Sequence, residues 1–457
     1  MAAQVSTGVF YYQRMTIERR QIGVYAPMQT SIDEFGSTRE GEHFQTLHEY
    51  LVSFTGPAGQ CTQVEETITG TVTIPKYTNE FWTARQRQAS SIHEISYRAC
   101  FKPQLPRFFI DLLTQPNDVV YDPFSGRGTT VIEAGLSARC VMANDANPLS
   151  RIMTYPRFFP PSTDEVAMRL KTIPTNGDRA EIDLSMFYEP GTEREIVALR
   201  DYLSERKAAG TEDAIDRWIA MVATNRLTGH SPGFFSVYTL PPNQAVSQES
   251  QRRINLKRNQ VPVYRDTHKI IQKKTKSLLA YLTEKEKQNL NRAGKTAQLF
   301  TGDARATPSI PDAAVQLTVT SPPFLDIVQY RQDNWLRCWF NGLDENAIGA
   351  QITMARSIKD WTAVMGAVFS ELYRITRRGG YVAFEVGEVR NKTIRLEEHV
   401  VPLGLAAGFL CVGILINQQT FTKTSNIWGV DNMEGGTNTN RIVVFCKDPY
   451  PVRRLSG

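Results

Sequence analysis

The 457-residue chain has no run approaching about 18 consecutive apolar residues, so no segment is predicted to span a membrane as a helix. Residues 1–30 also lack a continuous apolar core behind a basic start, which argues against a secretory signal. From these two absences we expect a cytoplasmic protein.

Cysteine and histidine are sparse, with six of each. The cysteines form no C-x-x-C pair and the histidines do not cluster, which argues against a zinc site and against a disulfide framework. We expect no metal, and we expect the cysteines to be small buried side chains.

The chain has no internal repeat and no low-complexity tract, and its 41% hydrophobic and 22% charged residues are ordinary for a folded protein. The net charge of +5 is mild, but residues 251–295 hold 13 Lys+Arg against 3 Asp+Glu. The basic excess is therefore concentrated in one stretch, as expected of a surface that follows phosphates.

The hydrophobic periodicity alternates between strand-like and helix-like segments. A β-α-β unit is predicted over about residues 119–145, and a second α/β series follows residue 296. We therefore predict an α/β fold with a mostly parallel sheet and helices on both faces. The predicted divisions are an N-terminal extension of unknown role (1–75), a first half-domain (76–155), a largely helical basic insertion (156–295) and a second half-domain (296–457).

A glycine turn is predicted where the first strand of this unit meets its helix, in Asp122-Pro-Phe-Ser-Gly-Arg-Gly-Thr-Thr130. Such a turn lets the backbone approach a ligand closely, but glycine is needed in any tight turn. Asp145 ends the next strand, 17 residues after Gly128, which is the position of a carboxylate that accepts ribose hydroxyls. A solvated turn aspartate is the alternative.

A second motif, Ser321-Pro-Pro-Phe324, directly follows the apolar strand VQLTVT. The two prolines fix the backbone, so the Ser321 hydroxyl and the Pro322 carbonyl can face an amino group while Phe324 stacks on a base. Taken alone, the motif could equally be a loop that stops a strand.

Together, D-P-F-S-G-R-G-T-T and T-S-P-P-F resemble the S-adenosylmethionine-dependent DNA amino-methyltransferases over roughly residues 95–150 and 295–447. The resemblance implies a Rossmann-like class I methyltransferase sheet and S-adenosylmethionine as cofactor. It also implies double-stranded DNA as substrate, a bacterial or phage origin, and a cognate restriction endonuclease as a candidate partner. The glycine turn precedes the serine motif here, whereas many family members have the opposite order.

The resemblance also implies roles for individual residues. Asp145 would take the ribose hydroxyls, Asp303 would meet the adenine amino group, and Phe101 would close over the cofactor or be a plain core aromatic. The implied cofactor residues are Phe101, Asp122, Pro123, Phe124, Ser125, Gly126, Gly128, Thr129, Thr130, Asp145, Asp303 and Ala304, and the implied catalytic residues are Ser321, Pro322, Pro323 and Phe324.

The serine form of the motif resembles the N4-cytosine subgroup, whereas most N6-adenine enzymes have Asp or Asn in its place. The target base would be flipped out of the duplex and methylated by direct in-line transfer. The chain has no Pro-Cys dipeptide, which the family that methylates cytosine C5 uses. An N6-adenine enzyme, an RNA guanosine methyltransferase and a non-catalytic DNA-binding protein are the alternatives.

The candidate DNA-binding residues lie in the insertion. A loop before residue 245 carries side chains able to read bases, and the basic stretch 251–295 carries phosphate candidates, although Ile270, Ile271, Leu278, Leu279 and Leu282 also indicate an amphipathic helix. The candidates are Arg226, His230, Asn243, Gln244, Arg252, Arg253, Lys257, Arg258, Lys273, Lys274 and Lys276. The loop 423–440 either borders the target pocket or is a long hairpin connection.

Overall fold

The computed structural model describes residues 42–69, 72–83, 89–97, 100–239, 245–323, 330–351, 355, 357–386, 388–389, 394–422 and 435–448. Phe324, Asn243, Gln244 and most of the predicted loop 423–440 lie outside these ranges. Within them, no helix is long and apolar enough to cross a membrane.

The strands are β1 (Gln63–Thr69), β2 (Val72–Asn79), β3 (Val119–Asp122), β4 (Cys140–Asp145), β5 (Gln298–Thr301), β6 (Val315–Thr320), β7 (Thr376–Val386), β8 (Glu388–Val389), β9 (Ile394–Arg395), β10 (Leu410–Thr422) and β11 (Gly435–Cys446). The helices are α1 (Glu42–Ser53), α2 (Gln104–Leu113), α3 (Thr129–Leu136), α4 (Leu149–Thr154), α5 (Thr163–Thr172), α6 (Pro190–Ala208), α7 (Ala214–Arg226), α8 (Gln248–Arg258), α9 (Thr267–Leu279), α10 (Glu284–Thr296), α11 (Tyr330–Phe340), α12 (Glu345–Gln351), α13 (Ile358–Ile375) and α14 (Leu396–Ala406).

One nine-stranded sheet has the order β1-β2-β10-β11-β7-β6-β3-β4-β5. The run β7-β6-β3-β4-β5 is parallel throughout, and β2 pairs in parallel with β10. Strand β11 is antiparallel to both β7 and β10, and β1 is antiparallel to β2. The parallel run places the carboxyl ends of β3, β4, β6 and β7 at one edge, where ligands of open α/β sheets bind.

Both faces of the sheet are covered. The core consists of two hydrophobic clusters, one on each face. Along β7, Tyr381 and Ala383 belong to the first hydrophobic cluster, while Val382 and Phe384 belong to the second hydrophobic cluster. This alternation follows from the strand period of two, and burial on both faces explains the near-continuous apolar sequence of the strand. The predicted fold is therefore confirmed: an α/β Rossmann-like sheet, mostly parallel, with helices on both faces.

The predicted insertion contains helices α5–α10. Its predicted amphipathic helix is α9, in which Ile271 and Leu278 are fully buried. The indole of Trp218 on α7 donates to Thr275 on α9 across 3.1 Å. These residues share a hydrophobic cluster with residues of α2 and α3, so the insertion packs directly on the sheet layer.

The N-terminal residues contribute to the sheet, a role that the sequence did not indicate. Strand β2 crosses the boundary predicted at residue 75 and pairs with β10 from Lys76 to Asn79. Helix α1 packs Leu51 into the first hydrophobic cluster. The expectation of buried cysteines is confirmed for Cys338 and Cys446 but wrong for Cys61, which is exposed, and Cys100, Cys140 and Cys411 are only partly buried.

Candidate active site

The glycine turn connects β3 to α3 in a conformation that needs glycine. Gly126 and Gly128 have φ values of +52° and +74°, in the left-handed region. At Gly128 there is no room for a side chain either, since an added Cβ would lie 2.4 Å from Thr154 Oγ1. The chain thus turns tightly into the start of α3, where the first helical N–H groups lack helical acceptors.

Asp145 holds this turn from the next strand. Its Oδ2 accepts from the Gly126 N–H at 2.7 Å and its Oδ1 accepts from the Asn147 N–H at 2.8 Å. Burial raises the pKa of Asp145 to about 6, and the two N–H donors oppose this shift. The predicted ribose-binding carboxylate and the glycine turn therefore lie side by side, with lone pairs of the carboxylate still available.

Asp122 connects the glycine turn to the serine motif. Its Oδ1 accepts from the Phe124 N–H at 3.1 Å and from the Thr320 hydroxyl at 2.7 Å. Thr320 ends β6 and immediately precedes Ser321. The Thr130 hydroxyl on α3 also donates to the Val319 carbonyl at 3.0 Å. Two segments nearly two hundred residues apart in sequence are thus adjacent in the fold.

The serine motif is anchored from two other elements. The Trp361 indole on α13 donates to the Pro323 carbonyl at 3.0 Å, and Pro322 is buried. The pairing of Thr320 with Phe384 places Ser321 beside Glu385 of β7, close enough for its hydroxyl to oppose the rise that burial causes in the pKa of Glu385. These contacts fix the first three residues of the motif at the carboxyl edge of the sheet.

Glu385 is a site residue that the sequence analysis missed. It is buried, and its Oε1 accepts from the Asn440 amide at 2.7 Å. Burial raises its pKa, while the hydrogen bonds from Asn440 and Ser321 oppose this shift. The available signal was a single glutamate inside the apolar strand Tyr381–Val386, since an acid in a buried strand needs a specific partner.

Other predicted cofactor residues occupy varied environments. Asp303 follows β5 near Asp145, because the neighbouring Gly302 N–H donates to the Asp145 carbonyl at 3.1 Å. Its carboxylate forms an ion pair with Arg305 at 2.5 Å, which holds the pKa of Asp303 below its ordinary value. Ala304 is buried, and Phe101 packs against the first hydrophobic cluster.

The remaining residues of the turn also have defined contacts. Phe124 packs against the second hydrophobic cluster, and the Pro123 carbonyl accepts from the Asn144 amide at 3.4 Å. Thr129 is buried and its hydroxyl accepts from Arg127. The Ser125 hydroxyl is buried in the turn without a hydrogen-bond partner among the described residues.

Two of the predicted DNA-binding residues are not at the surface. Arg226 is 8% exposed, stacks on Phe234 and donates to the Asn225 side chain, so its predicted role in reading bases does not fit this conformation. The Lys274 side chain is 12% exposed and pairs with Glu94 at 3.4 Å. Local charge did not reveal that these groups face inward.

The other described candidates are exposed: His230, Arg252, Arg253, Lys257, Arg258, Lys273 and Lys276. Arg252 pairs with Asp183 at 2.6 Å, Arg253 pairs with Glu249, and Arg258 lies over the Tyr238 ring. Exposed ion pairs of this kind are weak and can exchange for phosphate contacts.

The buried Asp122 carboxyl predicts a pH-dependent stability. Burial raises its pKa from 3.8 to about 7, so the folded chain holds this proton more tightly than the unfolded chain. That contribution is complete below the unfolded pKa and is lost as the pH rises through the folded pKa. Asparagine does not titrate, so only the wild type loses this contribution as the pH rises. We therefore expect the free energy of unfolding of Asp122→Asn, relative to that of wild type, to be higher at about pH 8 than at about pH 4. Urea unfolding at both pH values measures this, and a constant difference would contradict the assignment.

Residues 1–148 match the family model described as DNA methylase. The matched segment includes the glycine turn and Asp145, covers about a third of the chain and ends before Ser321. The match supports a DNA amino-methyltransferase that uses S-adenosylmethionine, at the level of DNA methylases rather than of the N4-cytosine subgroup. A search of the curated proteins gave no match.

Several solved structures are similar to parts of the chain. A candidate DNA modification methylase from Thermus thermophilus is 22% identical over 34% of this chain and 54% of its own, with a TM-score of 0.20. TrmN from Thermus thermophilus is 11% identical over 89% of this chain and 65% of its own, with a TM-score of 0.30. An rRNA methyltransferase from Streptomyces viridochromogenes is 9% identical over 79% of this chain and 91% of its own, with a TM-score of 0.31.

This chain thus spans about half the length of the first of these proteins.

Proposed function

We propose that this chain transfers a methyl group from S-adenosylmethionine to the exocyclic N4 amine of a flipped cytosine in duplex DNA. The observation that carries the proposal is the 2.7 Å hydrogen bond between Thr320 and Asp122. It ties the end of the strand before Ser321 to the start of the glycine turn. A methyl donor held at the turn would therefore lie next to an amine held at the serine motif, as direct transfer requires.

The residues around the turn fit S-adenosylmethionine. Gly126 and Gly128 let the backbone turn tightly, Asp145 offers acceptors for ribose hydroxyls, and the buried Ser125 hydroxyl lacks a partner among the described residues. The cofactor would supply a methyl group already activated by its sulfonium. The protein then needs to align and polarise the amine, and no covalent intermediate is required.

Ser321 and Glu385 are suited to polarising that amine. A serine hydroxyl has one proton and two lone pairs. When Glu385 is ionised, its carboxylate accepts a hydrogen bond from the Ser321 hydroxyl, which leaves the serine lone pairs for an N–H of the target. As the N–C bond formed and the S–C bond of the sulfonium broke, the cofactor would leave as a neutral thioether, and the proton lost by the amine would pass through the Ser321 hydroxyl to the buried Glu385 carboxylate. We therefore propose that the Ser321 hydroxyl accepts a hydrogen bond from the target amine and that Glu385 orients this hydroxyl.

The choice of N4-cytosine over N6-adenine depends on the serine in the motif, by resemblance alone. Either target amine would have to leave the base stack, and the resemblance implies Phe324 as the residue that stacks on the base. Supplying duplex DNA and tRNA side by side with labelled S-adenosylmethionine tests the substrate class. We expect label in DNA, and label in tRNA alone would contradict the proposal.

We assign the phosphate-binding surface to α8, for two reasons. The Trp335 indole on α11 donates to the Val246 carbonyl just before α8, which joins α8 to the helix that follows the serine motif. By contrast, α10 packs at the far end of α3, where the Asn289 amide donates to the Leu136 carbonyl at 3.0 Å. The basic residues on α8, rather than those on α10, are thus connected to the helix that follows the serine motif, where the target base would bind.

Removing Arg253 and Lys257 from α8 should weaken duplex DNA binding for all sequences alike. Each lost phosphate contact removes counterion release, so the slope of log affinity against log salt should fall by about 2 in the Arg253→Ala/Lys257→Ala variant. Fluorescence anisotropy over a salt series measures the slope. The matched control is Lys285→Ala/Arg292→Ala, which removes the same charge from exposed positions on α10. Equal slopes in the two double variants would contradict the assignment.

A further inference from the structure

The backbone of residues 91–97 is held by side chains from distant parts of the chain. Four of its carbonyls accept hydrogen bonds from such side chains, namely those of residues 92, 93, 95 and 96. Backbone carbonyls outside regular structure are usually satisfied by water or neighbouring residues. The 91–97 segment is thus fixed in place by tertiary contacts.

One set of contacts comes from the glycine turn. Arg127, between the two glycines, donates through Nη1 to the carbonyls of Ile95 at 2.5 Å and His93 at 3.3 Å. Arg157 is fully buried and donates to the carbonyls of Arg127 and Ile92. The segment and the turn therefore form one hydrogen-bonded unit.

A second set of contacts comes from helices α7 and α11, called the target-side helices below. The Asn225 amide on α7 and the Arg337 guanidinium on α11 both donate to the Ser96 carbonyl, at 2.9 Å and 3.2 Å. Helix α7 belongs to the insertion, and α11 follows the serine motif. Helix α9 adds a hydrogen bond, because the Ser91 hydroxyl donates to the Leu278 carbonyl at 2.8 Å.

The last residue of the segment, Tyr97, packs against the glycine turn. A Cβ added at Gly126 would lie 3.5 Å from the Tyr97 ring, so this ring packs directly against the turn. The Arg337 guanidinium also lies over the Tyr97 ring, 5.6 Å from its centroid. The same side chain thus contacts both the carbonyl before Tyr97 and the tyrosine ring.

We propose that Asn225 and Arg337 are positioning residues that, through the Ser96 carbonyl, set Tyr97 against Gly126 and so determine the cofactor affinity of the turn. The inference rests on the proposed function, because it takes the turn as the cofactor site. It makes the target-side helices α7 and α11 determinants of cofactor binding, although neither forms the turn.

The test measures S-adenosylmethionine binding by calorimetry in full-length Asn225→Ala and Arg337→Lys. Alanine removes the amide donor, and lysine keeps the charge but cannot reach both Ser96 and Asn334, which the arginine contacts together. We expect each variant to raise the dissociation constant about fivefold, the scale of one lost hydrogen bond. The KM for the cofactor should rise by the same factor as the dissociation constant. The kcat at saturating cofactor should stay within about twofold of wild type.

The matched control is Asn289→Ala, which also removes an asparagine amide bonded to a distant backbone carbonyl. Its dissociation constant should equal that of wild type. An equal rise of the dissociation constant in Asn289→Ala would show a general loosening of the fold and overturn the inference. A folded Asn225→Ala or Arg337→Lys variant that binds the cofactor with wild-type affinity would also overturn it. A wild-type protein that binds no cofactor would instead overturn the proposed function.

Discussion

Replacing Ser321 with alanine is expected to slow methyl transfer by about 10²- to 10³-fold, the usual effect of removing one hydrogen-bonding group that acts in the transition state. The hydroxyl contacts Glu385 rather than the glycine turn, so the affinity for S-adenosylmethionine should stay unchanged. Single-turnover kinetics with saturating cofactor and duplex DNA measures the rate, and calorimetry measures the affinity.

Ser370→Ala is the matched control, because Ser370 is an exposed serine on α13 whose hydroxyl donates to the Gly366 carbonyl. We expect this variant to retain wild-type turnover. If Ser321→Ala also retained it, the serine would have no part in the reaction and the assigned role would be wrong. A loss of cofactor affinity equal to the loss of rate would point to a structural role instead.

Replacing Asp145 with alanine should raise the dissociation constant for S-adenosylmethionine by about 10- to 150-fold, since a hydrogen bond to a charged group contributes about 1.5–3 kcal/mol. The variant loses the proposed acceptor of the ribose hydroxyls and also the contact with the Gly126 N–H. At saturating cofactor, kcat should change far less, because the carboxylate binds ground state and transition state alike. Calorimetry gives the dissociation constant.

Asp344→Ala separates cofactor binding from loop capping. Asp344 also accepts two backbone N–H groups, from Asn346 and Ala347, but it caps α12 rather than the glycine turn. Its removal should leave cofactor affinity at the wild-type value. Unchanged affinity in Asp145→Ala would exclude this carboxylate from the cofactor site.

Local sequence patterns predicted the β-α-β unit well. The strand ending in Asp122, the two glycines and the strand ending in Asp145 follow each other within one short stretch, and their hydrogen bonds are made within it. A short-range pattern suffices there, because the geometry of a strand-turn-helix is determined by neighbouring residues.

The missed features depend on contacts between distant residues. Glu385 meets Ser321 across two neighbouring strands, and no spacing rule in one sequence specifies that pairing. The sequence predicts Arg226 in a polar loop, but it ends α7, and its packing on Phe234 decides its exposure. The place of β2 beside β10 likewise joins residues more than three hundred positions apart, which periodicity does not encode.

The most direct test of the account identifies the nucleosides formed when the purified wild-type chain and Ser321→Ala act on duplex DNA with methyl-labelled S-adenosylmethionine. After digestion and mass spectrometry, we expect labelled N4-methylcytosine from the wild type and almost none from the variant. Labelled 5-methylcytosine, or no labelled nucleoside from a wild type that binds the cofactor, would contradict direct transfer between the glycine turn and the serine motif.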